Sequence, residues 1–395
     1  MKYLVLIGDG MSDRPLRELG GKTPLEAART PNMDHLAQNG ACGWVSNVPR
    51  GMLPASDVAN LSIFGYDPRK YYTGRGPLEA ASLGVKLGRN EIAFRCNLVT
   101  VKGGRMKDFT AGHISTAQGK KVIRALDNKI GSRQVKFHAG LSYRHLLVIS
   151  ASAAGNALKC TPPHDITGKK IGKYLPKGKG ADLLLKLMNE SEVLLHGMGT
   201  EATMIWPWGP GRTPRMPSFR KRFGKKGAII TAVHLLKGIG RVLGMEVIDV
   251  PGATGYLDTN YQGKARYALR ALKRNDVVFV HVEAPDEAGH EGSIPKKIRA
   301  IEDFDKHVVG TVLKTTRVRG YPDIRILVLP DHPTPIKAMT HTAEPVPFAA
   351  YSPKSENPCS GIAGYNEREI KKSRTRIRQG SRLIKLWFGG KLSGV

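Results

Sequence analysis

Residues 277–290 read VVFVHVEAPDEAGH. The first six are mostly apolar and β-branched, as expected of a buried strand, and Asp286 and His290 follow shortly after them. Open α/β sheets bind ligands beyond the carboxyl ends of their strands, and there a carboxylate and an imidazole four residues apart can converge on one cation. A capping aspartate and an incidental histidine would give the same spacing.

Similar apolar runs bounded by turn residues recur at 3–7, 146–149, 228–230 and 324–329. Helical patterns separate some of them, such as 24–39, with Thr23 as N-cap and Pro24 at the first position, and 263–274. The basic residues of 371–382 alternate with apolar ones and predict the outer face of a terminal helix. Together these patterns predict an α/β fold with a mainly parallel sheet flanked by helices.

The middle of the chain changes character between about Gly74 and Gly224, where it is rich in Gly, Pro, His and basic residues. Candidate catalytic and metal-binding residues lie on both sides of this segment. We therefore predict one discontinuous catalytic domain, 1–75 and 225–395, interrupted by an inserted domain, 76–224.

The net charge is unusually positive. The 395 residues include 62 Lys and Arg against 33 Asp and Glu, which gives +29 at pH 7. Such a field attracts anions, including phosphorylated metabolites, nucleic acid and anionic lipid. The charge is concentrated at 169–179, 212–226 and 371–382, and no recognisable RNA- or DNA-binding signature interleaves aromatic residues with it. A solvated basic surface is therefore favoured over a dedicated nucleic-acid site.

The sequence also bears on cellular location. No apolar run reaches the roughly 18 residues that a membrane helix needs. The four cysteines, Cys42, Cys96, Cys160 and Cys359, are far apart and form no C-x-x-C pair. These features predict a protein of the reducing cytoplasm that does not enter membranes.

Two more groups of candidate ligands lie near the ends of apolar runs. Asp331 and His332 follow run 324–329, with His341 in the next loop, and Asp9 follows run 3–7. Three strand ends that each supply Asp or His predict a metal site. Mixed oxygen and nitrogen ligands suit Mn²⁺, Zn²⁺ or Mg²⁺, although several imidazoles disfavour Mg²⁺ somewhat.

Ser56 begins a predicted helix within 51–61, where free N–H groups and the helix dipole favour an anion. Ser56 could simply be the N-cap of this helix. Beside two metal ions, however, its hydroxyl would have a lowered pKa and could act as a nucleophile.

The chain resembles the cofactor-independent phosphoglycerate mutases of the archaeal type, which belong to the alkaline-phosphatase superfamily. The resemblance runs nearly end to end, and the segments that carry it are 8–11, 22–28, 30–34, 56–62, 93–98, 111–114, 282–290 and 331–347. It implies an alkaline-phosphatase-like catalytic domain with an inserted α+β cap domain that binds substrate.

The resemblance further implies the interconversion of 3-phosphoglycerate and 2-phosphoglycerate through phosphoserine at Ser56, without bisphosphoglycerate. Two divalent ions are implied, with Mn²⁺ favoured and Zn²⁺, Co²⁺ or Mg²⁺ as alternatives. One would be bound by Asp9, Ser56, Asp331 and His332, and the other by Asp286, His290 and His341. The implied partner is a small phosphorylated metabolite, and the oligomeric state is left open.

In the cap, the candidates for substrate binding and proton transfer are Arg95, Asp108, His113, Arg144, His164, Asp165 and Arg212. Structural pairing on a basic surface is the alternative for each of them. The chain departs from the family at Pro333, where Gly is usual, and at Pro207. Two rival functions are a homoserine kinase-like phosphotransferase, suggested by segments 206–217 and 251–256, and a nucleic-acid-binding protein on a retired enzyme fold.

Overall fold

The computed structural model describes residues 1–150, 158–316, 323–353 and 361–392. Contacts divide the chain into two units. The first unit comprises Met1–Tyr72 and Met216–Val395, and the second comprises Thr73–Arg215. The corresponding boundaries drawn from the sequence are 75/76 and 224/225.

The elements are numbered in chain order. The strands are β1 (Lys2–Gly8), β2 (Ala41–Val45), β3 (Glu91–Lys102), β4 (Arg105–Asp108), β5 (Val135–Leu141), β6 (Arg144–Ser150), β7 (Met204–Gly211), β8 (Gly227–Ile230), β9 (Glu246–Ile248), β10 (Val277–Val282), β11 (Ile324–Leu329), β12 (Val346–Tyr351) and β13 (Arg376–Ile377). The α-helices are α1 (Pro24–Ala27), α2 (Pro31–Gln38), α3 (Ser56–Ile63), α4 (Pro68–Tyr71), α5 (Arg75–Ser82), α6 (Thr116–Ile130), α7 (Ala181–Leu195), α8 (Phe219–Phe223), α9 (His234–Val242), α10 (Tyr261–Ala271), α11 (Ala284–His290), α12 (Ile294–Asp303), α13 (Gly310–Thr316), α14 (Glu367–Ile370) and α15 (Leu383–Phe388). Short 3₁₀ turns occur at Arg17–Leu19, Pro163–Ile166, Ile171–Tyr174 and Gly380–Arg382, and a π-helical turn, Phe304–Val309, joins α12 to α13.

The first unit is built on a sheet whose described strands lie in the order β13-β2-β12-β11-β1-β10-β8-β9. The five strands from β11 to β9 pair in parallel, whereas β12 is antiparallel to both of its neighbours. The central strands are buried on both faces, which explains their continuous apolar sequences. The prediction of an α/β fold with a mainly parallel sheet is confirmed.

The helical pattern at 24–39 forms two helices. Thr23 caps the first, because its Oγ1 accepts the N–H of Glu26 at 3.0 Å, as predicted. This helix ends at Ala27, and α2 begins at Pro31. Proline disfavours the helical conformation in the residue before it, and Thr30 accordingly has ψ of 52°. The prediction of one uninterrupted helix is therefore wrong.

The basic segment 371–382 does not form the predicted helix. Arg376 and Ile377 form β13, and the terminal helix begins only at Leu383. The N–H of Trp44 donates to the Thr375 carbonyl at 3.0 Å, and the N–H of Ser46 donates to the Ile377 carbonyl at 3.0 Å. Pairing with β2 thus competes successfully with the helical pattern.

The second unit contains an antiparallel sheet in the order β4-β3-β6-β5, with β7 also paired to β3. The apolar run 146–149 lies here, in β6, instead of in the parallel sheet. Pro207 lies in β7 opposite Cys96. Among the described strands β7 pairs with β3 only, and an edge strand tolerates the missing N–H of a proline.

In the described ranges, no helix has the length and apolar character needed to cross a membrane. Cys42, Cys96 and Cys160 are free thiols. Cys359 lies outside the described residues.

Candidate active site

Three neighbouring strands deliver predicted ligands to one edge of the sheet. Strand β1 lies between β10 and β11 and is parallel to both, with Gly8 opposite Val282 and Ile7 opposite Leu329. Asp9 follows β1, and its N–H donates to the Val282 carbonyl at 2.9 Å. Because the carboxyl ends of parallel strands lie side by side, acids that are distant in the chain become neighbours.

The first candidate metal-binding cluster, here called the Asp9 group, consists of Asp9, Asp331 and His332. One donor atom of each lies within 4.8 Å of the other two. His332 Nε2 lies 3.5 Å from both Asp9 Oδ1 and Asp331 Oδ2, and all three side chains are buried. Asp9 Oδ1 has no hydrogen-bond partner in the described part of the chain. Leaving such an oxygen unsatisfied is costly, so this donor set fits a cation.

The second cluster, the His290 group, consists of Asp286, His290 and His341. His290 Nε2 lies 3.1 Å from Asp286 Oδ2 and 3.0 Å from His341 Nε2. His290 Nδ1 lies 3.0 Å from the Met339 carbonyl oxygen, which can only accept, so Nδ1 is assigned as the donor. Nε2 therefore faces the group and, once deprotonated, would supply the lone pair that a metal ligand requires. With side-chain exposures of 35% for His290 and 22% for His341, this group is more open than the Asp9 group.

Ser56 is the first residue of α3, and Ala55 is the N-cap residue, so Ser56 is not the N-cap. The Ser56 Oγ lies 3.2 Å from His332 Nε2, beside the Asp9 group. The rings of His332 and His341 have centroids 4.2 Å apart. Ser56 and both candidate clusters therefore form one continuous site in the first unit.

The carboxylates of this site are close enough to repel one another electrostatically. Burial, followed by repulsion from Asp331 and Asp286, raises the pKa of Asp9 well above its ordinary value. Burial also raises the pKa of Asp286, but hydrogen bonds with His290 and His341 outweigh it and lower the pKa well below its ordinary value. Buried carboxylates that repel one another are stabilised by divalent cations, so the electrostatics also favour metal binding.

Two residues that the sequence analysis did not single out orient predicted ligands. Asn60 Nδ2 donates to Asp331 Oδ2 and to the Ser56 carbonyl, each at 2.9 Å. Thr334 Oγ1 donates to the carboxylate of Asp286. Asn60 could have been identified from the sequence, because it follows Ser56 by four residues and such residues lie on the same face of a helix. No comparable signal marked Thr334.

A buried lysine supports the loop that carries these ligands, and it gives a stability prediction. Lys297 Nζ is fully buried, lies 2.8 Å from Asp13 Oδ2 and donates to the Thr334 carbonyl at 2.8 Å. Lys297→Met would leave the Asp13 carboxylate buried without its cation. We expect the free energy of unfolding, measured by urea denaturation, to fall by about 3–5 kcal/mol.

The matched control is Lys296→Met, because the neighbouring Lys296 is exposed and pairs with Glu291 at the surface. Its urea midpoint should stay close to that of the parent protein. Equal losses of stability in the two variants would contradict a structural role for the buried pair.

The predicted substrate-binding residues lie in the second unit. The Arg95 guanidinium carbon lies 5.7 Å from the Trp208 ring centroid. The His164 ring centroid lies 5.3 Å from the same Trp208 ring. His164 Nε2 is 3.7 Å from Asp165 Oδ1. Arg95 is buried and donates to the Glu79 carboxylate, and burial lowers the pKa of Arg95 to about 10. Much of its guanidinium is therefore committed to structural pairing.

Arg144 adjoins the same aromatic region. The Arg144 guanidinium carbon lies 4.5 Å from the Tyr143 ring centroid, and the Tyr143 ring lies 6.0 Å from that of Phe109. Phe109 follows Asp108 directly, and its ring is also 6.0 Å from that of His164. Asp108 interacts electrostatically with His113.

The seventh candidate, Arg212, contacts the backbone of Arg89. It follows β7, and its Nη1 donates to the Arg89 carbonyl at 3.2 Å. Its role in substrate binding remains a prediction from the sequence.

Comparisons with known proteins show which family the chain belongs to. A family model described as 2,3-bisphosphoglycerate-independent phosphoglycerate mutase matches residues 37–199. The chain is 51% identical over 394 residues to a protein of that name from Methanosarcina acetivorans, covering 97% of this chain and 98% of the relative. Another relative of that name, numbered 2, from Methanothermobacter thermautotrophicus, is 53% identical over 358 residues, which is 88% of each chain.

A solved structure agrees with these sequence relatives. The cofactor-independent phosphoglycerate mutase from Thermoplasma acidophilum superposes with a TM-score of 0.68 at 25% identity, covering 99% of this chain and 100% of that one. The chain therefore belongs to the family of 2,3-bisphosphoglycerate-independent phosphoglycerate mutases.

Proposed function

We propose that the protein interconverts 3-phosphoglycerate and 2-phosphoglycerate without added bisphosphoglycerate, through a phosphoserine at Ser56. The observation that carries this proposal is the position of the Ser56 hydroxyl, at the start of α3 and 3.2 Å from His332 in the Asp9 group. Relatives that are 51–53% identical bear the name of this mutase.

Two divalent cations, with Mn²⁺ as the favoured ion, are part of the proposal. The Asp9 group with Ser56 would hold one, and the His290 group would hold the other. The unsatisfied Asp9 Oδ1 and the two convergent imidazole nitrogens of the His290 group support this assignment. When bound, the cations would lower the pKa of the Ser56 hydroxyl and stabilise charge on the transferred phosphoryl group.

Each phosphoryl transfer exchanges one phosphorus–oxygen bond for another. Ser56 Oγ bonds to phosphorus as the bond to the glycerate 3-oxygen breaks, and the serine proton ends on the released glycerate hydroxyl. In the return step the glycerate 2-oxygen bonds to phosphorus and Ser56 regains a proton. Asn60 donates to the Ser56 backbone carbonyl and to Asp331, and would help to keep the backbone of the nucleophile in register with the Asp9 group.

The glycerate intermediate must be retained between the two transfers. We propose that the second-unit candidates perform this task, with an arginine binding the carboxylate in the planar, two-pronged manner that suits this side chain. Arg144 is exposed, whereas Arg95 already pairs with Glu79. Arg144 is therefore the stronger candidate for direct substrate contact.

The test starts from metal-free protein to which Mn²⁺ and 3-phosphoglycerate are added. We expect 2-phosphoglycerate to appear, resolved by ³¹P NMR, without bisphosphoglycerate. Failure of this conversion in a sample that has bound Mn²⁺ would overturn the proposal. Release of inorganic phosphate alone would indicate a phosphatase, and ATP-dependent phosphorylation of homoserine would indicate the kinase-like alternative.

A further inference from the structure

Behind the Asp9 group lies a chain of three buried ionisable residues that the proposed reaction does not use. Lys264 Nζ lies 2.5 Å from Glu283 Oε2, and Glu283 Oε1 lies 3.4 Å from His281 Nδ1. Side-chain exposures are 0% for Lys264, 2% for Glu283 and 1% for His281. A buried ion pair is often no more stabilising than well-packed apolar residues, so stability alone is a weak explanation for these three groups.

The far side of the histidine ring faces the candidate metal ligands. His281 Nε2 lies 3.5 Å from Asp9 Oδ2 and 3.8 Å from Asp331 Oδ2. The other Asp9 oxygen, Oδ1, faces His332 and has no hydrogen-bond partner in the described residues. The two oxygens of the Asp9 carboxylate thus face different groups: Oδ2 faces His281, and Oδ1 faces the candidate cation site.

The anchor behind His281 is fixed by several contacts. Glu283 Oε1 accepts the Thr231 hydroxyl at 2.8 Å and the Ala232 N–H at 2.7 Å. Lys264 Nζ also donates to the His281 carbonyl at 3.0 Å, so it holds both the carboxylate and the histidine backbone. These contacts hold the Glu283 carboxylate and the His281 backbone in place behind the ligands.

We propose that His281, anchored by Glu283 and Lys264, is a positioning residue that orients the carboxylates of Asp9 and Asp331 for cation binding. The inference rests on the cation sites of the proposed function. It also predicts an asymmetry, because in the described residues the metal-ligand contacts of His281 are with Asp9 and Asp331, both in the Asp9 group. Loss of this residue should weaken one cation site and spare the other.

Two substitutions of His281 test the roles of its two ring nitrogens separately. His281→Asn retains an amide near the position of Nδ1, toward Glu283, and removes the group that faces the aspartates. His281→Gln extends its amide nitrogen toward the position of Nε2 and so keeps a donor for Asp9 and Asp331. The first change should therefore impair cation binding, and the second should restore most of it.

The measurement is calorimetric titration of metal-free protein with Mn²⁺. In His281→Asn we expect the dissociation constant of one binding step to rise about 10- to 100-fold, as for other residues that orient metal ligands. The second step should be unchanged. Repeating the titration in the Asp286→Asn background leaves the Asp9 group as the remaining site and should assign the weakened step to it. At saturating Mn²⁺ the KM for 3-phosphoglycerate should be unchanged.

His145→Asn is the matched control, because His145 is an equally buried histidine in the second unit. Lys264→Gln is a second test if His281→Asn folds poorly, since the described contacts of Lys264 are with Glu283 and the His281 carbonyl and not with a candidate metal ligand. It should weaken the same step to a smaller extent.

Unchanged Mn²⁺ binding in His281→Asn, or equal losses in both steps, would overturn the inference. If one step were selectively weakened in His281→Asn while the parent protein converted no phosphoglycerate, the proposed function would be refuted and the positioning role of His281 would be supported.

Discussion

Replacement of Ser56 by alanine is expected to abolish phosphoglycerate interconversion. The hydroxyl is the proposed acceptor of the phosphoryl group, and it lies 3.2 Å from His332 Nε2 in the Asp9 group. We expect kcat to fall by about 10⁴-fold or more, because no covalent intermediate can form. The assay is the conversion of 3-phosphoglycerate with saturating Mn²⁺. Mass spectrometry of quenched parent enzyme should also find phosphate on Ser56, and this signal should be absent in the variant.

Ser62→Ala is the matched control, because it removes a hydroxyl from the same helix within two turns of Ser56. Its activity should remain close to that of the parent protein. Mn²⁺ binding by Ser56→Ala should persist at the His290 group, which contains no serine. Substantial mutase activity in Ser56→Ala would show that the covalent route is wrong.

Asp331→Asn and Asp286→Asn are expected to remove different cations and to inactivate the enzyme in both cases. A bound cation contributes several kcal/mol to the stabilisation of transition-state charge, and about 1.4 kcal/mol is a factor of ten in rate. We therefore expect each variant to lose about 10³-fold or more in kcat. Elemental analysis after gel filtration should find two Mn²⁺ per parent chain and one in each variant.

Asp305→Asn controls for the loss of a buried carboxylate. Asp305 is buried in the first unit, but its oxygens accept hydrogen bonds from Asn32 and Met33 and belong to neither candidate cluster. This variant should keep both cations and most of its activity. If Asp331→Asn kept two cations, the assignment of the Asp9 group as a metal site would be rejected.

Much of the site was predictable because its chemistry lies next to strong local signals. The runs that became β1, β10 and β11 are short and apolar, and Asp9, Asp286 and Asp331 follow them within a few residues. Parallel sheets bind ligands at this edge, so position in the sequence was enough to select the acids. The partition into two clusters, in contrast, came from family resemblance.

The errors came from competition between local patterns and neighbouring chain. The helix predicted at 24–39 is interrupted between Ala27 and Pro31, and Pro31 disfavours the helical conformation of Thr30, a local rule that the apolar periodicity masked. The helix predicted within 371–382 gives way to β13, since the edge of β2 offers backbone hydrogen bonds. A periodicity within one segment contains no information about such a partner strand.

Local chemistry was thus readable in the residues: the apolar strands, the Thr23 cap, the strand-end acids and the serine at the start of a helix. Tertiary structure decided which of these residues meet. The order β11-β1-β10 brings Asp9 between the other two acids, and the packing of α10 on this sheet buries Lys264 beside Glu283 and His281. Such contacts join residues far apart in sequence, and their energies depend on burial and distance, which composition and spacing do not contain.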